Sequence, residues 1–374
     1  MTITAWFCAL LRSPCSSDVF LKYTIKQGRA SIVYCIRIRH CPFGQDIGQS
    51  GSNFAAGEHS MAWALGIDIG GTHTKMGLVN ETGEMRAFRR IATEARGDDP
   101  QPYLNNLILH ARQVQDEAGE PLVGVGLSTH GHLDDARRSP VLCGNTPALT
   151  GVDLYGLLET TFGLPVTVNN DLTAHALAEY YYGSGRGVRR LMVLAIGTGL
   201  GVGVVINGTP LRYIEGTPGD SGRIVLEPDG PPDVYGVPGT VEALCGVRGI
   251  ERMARDRYGR DVAAHEVIRA AREGADPIAA EIMRQVGAYL GHTLALLSPV
   301  FLPNKIAVTG GTTEAGDVLL DACRERFDSL VGNYHRTLAR MAGAYYSEVD
   351  IVYGEMRGET GVVGAVVELF HPFT

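Results

Sequence analysis

Asp171 ends the run Val168-Asn169-Asn170-Asp171 and opens a helical pattern over Leu172–Tyr182. A carboxylate at a strand end and helix start points into the cleft that such ends border. There it can accept a proton from a substrate hydroxyl during phosphoryl transfer. The same position also suits a helix N-cap, which contributes only about 1 kcal/mol. Two glycine loops supply the complementary chemistry. In Asp68-Ile69-Gly70-Gly71-Thr72-His73-Thr74-Lys75 the glycines let the backbone approach a phosphate, and successive amides in a tight turn form an anion-binding nest. Thr72 and Thr74 add hydroxyl donors, and Asp68 is suited to hold Mg²⁺ through water. In Gly197-Thr198-Gly199-Leu200-Gly201-Val202-Gly203 a second such loop follows a strand. Alone, either loop reads equally as a plain hairpin; as a pair, they can grip one polyphosphate from two sides. A third turn, Gly310-Gly311-Thr312-Thr313, can flank an adenine or ribose at a helix start, or simply join strand to helix. No GxxxxGK[ST] sequence is present, which disfavours a P-loop enzyme.

The elements that must position these residues repeat. The pattern predicts strands at Trp63–Ile69, Lys75–Val79 and Met85–Ile91, then a helix over Pro102–Glu117 with Leu104, Leu107, Ile108, Ala111 and Val114 on one face. Strands Leu122–Leu127 and Pro165–Val168 follow. The order restarts with strands Leu191–Ile196, Val204–Ile206 and Leu211–Ile214, the first turn again glycine-rich. Helices are expected over Val241–Tyr258, Ala263–Arg272, Asp276–Leu302, Ala315–Leu330 and Thr360–Phe370, with strands at Lys305–Thr309 and Glu348–Tyr353. Small residues in Gly358–Ala365 mark close helix packing rather than a ligand contact. Such a duplication implies an α/β fold of two lobes with a cleft between them. The lobes are expected at 61–168 plus 355–374 and at 169–354.

At 374 residues the chain is long enough for two lobes. A composition 45% hydrophobic and 20% charged is that of a soluble enzyme. A net charge of -8 disfavours nucleic acid, and no apolar run reaches the ~20 residues a membrane helix needs. Ile3–Leu11 lacks the basic flank and cleavage site of a signal peptide. Cys143, Cys245 and Cys323 suit reduced thiols of a cytoplasmic protein, while Cys8, Cys15, Cys35 and Cys41 crowd the first 60 residues. That first segment shows no sustained periodicity beyond Ser31–Ile38 and ends in a linker-like stretch, Gly44–Ser60. It is read as an atypical extension ahead of a native start at Met61, the alternative being a small regulatory or targeting piece.

In this order the motifs resemble the ROK family (repressors, uncharacterised reading frames and sugar kinases) over about residues 64–370. The resemblance implies a two-lobed, actin-like (ribonuclease H-like) fold closing over ATP, Mg²⁺ and a sugar. It makes Asp171 the base toward a hydroxyl, usually the primary one of a hexose. Gly131, His132, Asn145, Asn170 and Glu242 would bind the sugar. Asp68, Gly70, Gly71, Thr72, Thr74, Lys75, Thr198, Gly199, Gly310 and Gly311 would bind the nucleotide. Family habit implies a homodimer, and some relatives use polyphosphate as donor.

Two departures bear on the substrate. Where the family has Ala-Gly-Glu-x-Gly-His, this chain has Pro218-Gly219-Asp220-Ser221-Gly222-Arg223. The family zinc motif CxCGxxGCxE falls on Asp233–Glu242, where all three cysteines are replaced, and the histidine is Arg223, so no zinc is expected. Asp220 is about 1.5 Å shorter than glutamate, and Arg223 brings a fixed charge with up to five donors. A self-paired Asp220 and Arg223 would leave fewer groups for glucose and favour a modified hexose, an amino sugar or a cyclitol. Two other classes compete: a sugar-sensing regulator, which would need a winged helix-turn-helix in residues 1–60, and a catalytically idle binding protein.

Overall fold

In a computed structural model of the chain, the structure describes residues 18–27, 30–39, 61–213, 216–356 and 358–373. The chain divides into two compact units, Met1–His59 and Ser60–Thr374. In the first, strands β1 (Asp18–Gln27) and β2 (Ala30–Arg39) pair antiparallel. The expected Ser31–Ile38 run lies inside β2, while β1 gave no sequence signal. The Ile3–Leu11 and Gly44–Ser60 segments lie outside the described residues.

The second unit contains two five-stranded sheets of one design. β3 (Trp63–Ile69), β4 (His73–Asn80) and β5 (Met85–Ala92) form an antiparallel meander. Helix α1 (Gln101–Asp116) leads to β6 (Val125–Thr129), which runs parallel to β3. A short hairpin, β7 (His132–Leu133) and β8 (Pro140–Leu142), and helix α2 (Leu154–Phe162) precede β9 (Val166–Asn170), parallel to β6. The spatial order is β5-β4-β3-β6-β9. After α3 (Asp171–Tyr181) the plan repeats with β10 (Arg190–Ile196), β11 (Leu200–Ile206) and β12 (Thr209–Pro210). Helices α4 (Val241–Cys245), α5 (Val247–Tyr258), α6 (Ala264–Glu273) and α7 (Pro277–Phe301) intervene before β13 (Lys305–Thr309). Then come α8 (Asp317–Phe327), α9 (Asn333–Ala342), β14 (Asp350–Tyr353) and α10 (Thr360–Phe370). This sheet has the order β12-β11-β10-β13-β14, with β13 parallel to both neighbours.

Each sheet has its own apolar core. Leu65, Ile67, Leu107, Leu127 and Val168 fill the first, and Leu194, Val202, Val286, Leu290 and Val308 the second. β9 belongs to the first sheet through Asn170, two residues past the expected lobe boundary.

Several expected elements shift. The third strand of the repeat is Thr209–Pro210, ahead of the expected Leu211–Ile214, whose last residue lies outside the described residues. Leu211 N still donates to Val204 O at 2.8 Å, but Tyr213 N turns away to Thr217 O at 2.9 Å. β11 begins at Leu200, inside the expected glycine turn. The helix expected over Val241–Tyr258 breaks at Gly246, whose extended backbone (ψ 172°) separates α4 from α5. The strand expected at Leu122–Leu127 is Val125–Thr129. A 3-10 turn, Gly311–Ala315, precedes α8, and α9 had no sequence expectation. Among the described residues no helix is long and apolar enough to cross a membrane. Cys143, Cys245 and Cys323 are buried free thiols, and burial pushes the Cys323 thiol up to about 12.

Candidate active site

A cavity of about 450 Å³ opens between the strand ends of the two sheets. Asp171, at its floor, is the first residue of α3. The cap belongs to its neighbour: the Asn170 side chain accepts from Leu172 N at 2.9 Å and donates through Nδ2 to Gly131 O at 2.8 Å. With the cap supplied by Asn170, the Asp171 carboxylate is free for chemistry, keeping one bond from Leu172 N to Oδ1 (2.9 Å). Burial pushes its pKa up to about 6; the His175 charge opposes the rise and Asp68 adds to it. A carboxylate so tuned is ionised at neutral pH yet basic enough to take a proton.

Glycine loops border the floor on both sides, at Gly70–Thr72 and Gly197–Gly199. A Cβ at Gly71 would come within 2.8 Å of Asn145, and one at Gly199 within 2.6 Å of the Glu242 carboxylate. Gly310 has φ +96°, and a Cβ there would lie 2.2 Å from Ile196 O. Only hydrogen fits at these three turns, which press close against Asn145, Glu242 and the end of β10. Thr72, Thr198 and Gly70 line the same cavity. Beside Gly310, the Thr309 and Thr312 hydroxyls are buried without a hydrogen-bond partner.

The acceptor candidates line the same cavity, Asn145 and Glu242 directly against the two loops. Gly131, His132, Asn145, Asn170, Asp220, Arg223 and Glu242 all line the cavity. Position 131 requires glycine, since its φ is +93° and a Cβ there would lie 2.3 Å from Leu142 O. Arg223 reaches three carboxylates: Nε to Asp220 at 3.3 Å, Nη1 to Asp233 at 2.8 Å and Nη2 to Glu242 at 2.9 Å. The expected Asp220–Arg223 pair is therefore formed, within a larger cluster.

Four sequence candidates lie off the cavity wall. Thr74 is fully buried on β4, bonded to Thr93 (2.8 Å) and the Tyr103 hydroxyl (2.6 Å) behind the sheet. The next residue, Lys75, points to the other face, where Nζ donates to Gly358 O at 2.5 Å. Strand alternation sends these two to opposite faces, so neither follows the loop into the cleft. Gly311 also lies off the lining, in the 3-10 turn. Asp68 sits behind the first loop; its Oδ1 accepts from Ser128 Oγ at 2.8 Å, and α10 approaches it through Gly361. Its oxygens suit a hard cation such as Mg²⁺.

Some lining residues had no sequence signal. His130 bonds Ile69 O through Nδ1 and Thr146 through Nε2, both at 3.2 Å, and burial lowers its pKa. It is therefore neutral at pH 7, a frame for the first loop rather than a charge. His175, one turn along α3 from Asp171, leaves Nδ1 without a partner. Arg96, Ser221 and Tyr235 complete the rim. Ser221 and Tyr235 fall in the two segments that depart from the family pattern, whereas His130 and Arg96 come to the cavity only through the approach of distant loops.

The ROK family pattern matches residues 64–367. The chain belongs to the ROK family. It is 29% identical over 323 residues to a glucokinase of Streptomyces coelicolor, covering 82% of this chain and 96% of that one. A ROK hexokinase of Thermus thermophilus superposes with a TM-score of 0.69 at 28% identity, over 82% of this chain and 97% of that one. A ROK glucokinase of Streptomyces griseus, solved with glucose and AMPPNP, gives 0.67 at 27% identity over 81% and 98%. Its two-lobed, actin-like fold is thus that of ROK sugar kinases.

Proposed function

We propose that this ROK protein phosphorylates a sugar or sugar-like acceptor with ATP, Asp171 serving as general base. The observation that carries this reading is the position of Asp171 at the floor of one cavity, between two glycine cradles and a polar acceptor wall. The acceptor oxygen attacks the γ-phosphorus as the bond to ADP breaks, and its proton passes to the Asp171 carboxylate. The loops Gly70–Thr72 and Thr198–Gly199 would align the phosphates through backbone amides. Magnesium, held through water by Asp68, would supply charge neutralisation on the phosphate oxygens. Glucokinase relatives and the glucose and AMPPNP complex of the Streptomyces griseus protein support the reaction class.

The acceptor is proposed to be a modified hexose, an amino sugar or a cyclitol. Arg223 already engages Asp220 and Glu242, two of the carboxylates that would otherwise be open to sugar hydroxyls. ADP release with Mg-ATP across hexoses, amino sugars, acetamido sugars and cyclitols tests both levels. Turnover of at least one member supports the kinase, and the highest kcat/KM on glucose would overturn the modified-acceptor part. Silence across the panel, with retention on DNA at low salt, would favour the sugar-sensing regulator instead.

A further inference from the structure

We propose that Arg223 is the positioning residue of the acceptor wall, an internal guanidinium that holds Asp220, Asp233 and Glu242 in one arrangement where the family pattern calls for a zinc ion. The four positions that depart from that pattern, at 223, 233, 235 and 240, are not scattered in space. Arg223 forms an ion pair with Asp233, and its guanidinium lies 4.6 Å from the centre of the Tyr235 ring. Thr240 donates its hydroxyl to the same Asp233 oxygen at 3.3 Å. All four replacements are therefore joined through Arg223 and Asp233 into a single organic cluster.

The cluster is built to fix a loop. Three converging carboxylates repel unless a cation sits among them. A guanidinium suits this task because its Nε, Nη1 and Nη2 diverge in one plane, and each here addresses a different carboxylate. The Asp233 side chain is 1% exposed. Its Oδ1 accepts from Tyr235 N at 2.8 Å and Val237 N at 3.0 Å, which pins the loop's backbone. Thr240 caps α4 by accepting from Ala243 N, and α4 carries Glu242. Glu242 Oε2 accepts from Leu200 N at 3.3 Å, at the end of the second phosphate loop. One guanidinium thus braces the acceptor loop, the start of α4 and, through Glu242, the edge of the nucleotide site. A lysine ammonium also has three donors, but they leave one nitrogen, so it lacks the reach of a planar fork whose three nitrogens each meet a separate carboxylate.

The test uses the full chain and two readouts, only one of which rests on the kinase reading. Tyr235 is 62% exposed, so chymotrypsin cleavage after it, mapped by mass spectrometry, reports how firmly the loop is held. Arg223→Met should speed that cleavage at least tenfold. The acceptor KM should rise at least tenfold while the KM for ATP moves less than threefold. Millimolar guanidinium should recover part of both effects, and Arg223→Lys should not. Cleavage and acceptor KM within twofold of wild type would overturn the brace. So would faster cleavage of the wild-type loop on adding 1,10-phenanthroline, which would put a metal ion at the node. If Arg223→Met does not fold, Asp233→Asn is the second variant, and unchanged cleavage there would overturn the proposal. A wild type that phosphorylates no acceptor sinks the kinase reading, while the cleavage result still decides the brace.

Discussion

Asp171 acquires its basicity from burial at the start of α3. Asn170 caps α3, and Asp171, one residue later, lines the cavity while keeping a single bond from Leu172 N. Burial then holds the pKa near 6, above the ordinary 3.8. Replacement by asparagine keeps the shape and removes the base, so kcat should fall by about 10²–10⁴-fold; a loss under tenfold would remove Asp171 from the mechanism. The reactive form is ionised, so kcat/KM should be level above about pH 7 and fall tenfold per unit below about 6. Stability carries the opposite sign. A carboxyl whose folded pKa is raised binds its proton more tightly in the folded state, so its ionisation penalises folding as pH rises from about 4 to 6. Asp171→Asn should therefore melt higher than wild type at pH 7.5, with the gap closing by pH 4. A pH-independent gap would mean that the carboxyl is not desolvated in the free protein.

At the scale of elements, α10 shows why small residues recur in a helix. It packs between α3 and strands β3 and β6. A Cβ on Gly364 would lie 1.8 Å from Ala174 O in α3. On the sheet side, Cβ atoms at Gly66 and Gly126 would meet Val362 O and Ala365 O at 2.4 and 2.3 Å. The backbones of three elements approach so closely that only hydrogen fits at these positions. Gly364→Val should cost about 3 kcal/mol or more, by forcing α10 away from α3. Thermal melting would register the loss as a lower Tm; an unchanged Tm would mean that the layers slide apart freely. The Gly/Ala spacing made this packing legible in the sequence, whereas the break at Gly246 was not. That break depends on where α4 and α5 dock rather than on local propensity.

At the scale of the whole fold, the connection between the two sheets runs through α3 and α10. Asp171 begins α3 at the end of the first sheet, and the body of α3 packs on β10 and β11 of the second. Near its end, Glu179 is completely buried. Its carboxylate accepts from Ser184 N (2.9 Å), Ser184 Oγ (2.8 Å), Glu355 N (3.1 Å) and Met356 N (2.8 Å). The last two lie where the chain crosses from β14 back to α10. A single carboxylate thus holds this crossing to the helix that carries the base. Glu179→Ala would leave four donors unpaired and should cost about 3 kcal/mol or more in denaturant unfolding. A loss below about 1 kcal/mol would mean that apolar packing alone holds the crossing.

The duplicated strand and helix order, the paired glycine loops and the position of Asp171 were all present in the sequence, because each follows from local periodicity and turn chemistry. Strand boundaries were less so, since Pro210 and the first residues of β11 are settled by ladder pairing. Thr74 and Lys75 belong to a motif in sequence, yet the pleat turns them away from the cleft. Tertiary structure alone added Asp233 and Glu242 to the Asp220–Arg223 pair that the sequence suggested, and set His130 and His175 at the cavity wall. Arg223 lies 10 residues from Asp233, and His130 lies 61 from the Ile69 carbonyl it meets. Their meeting depends on how loops cross between two packed sheets, which no short-range pattern encodes.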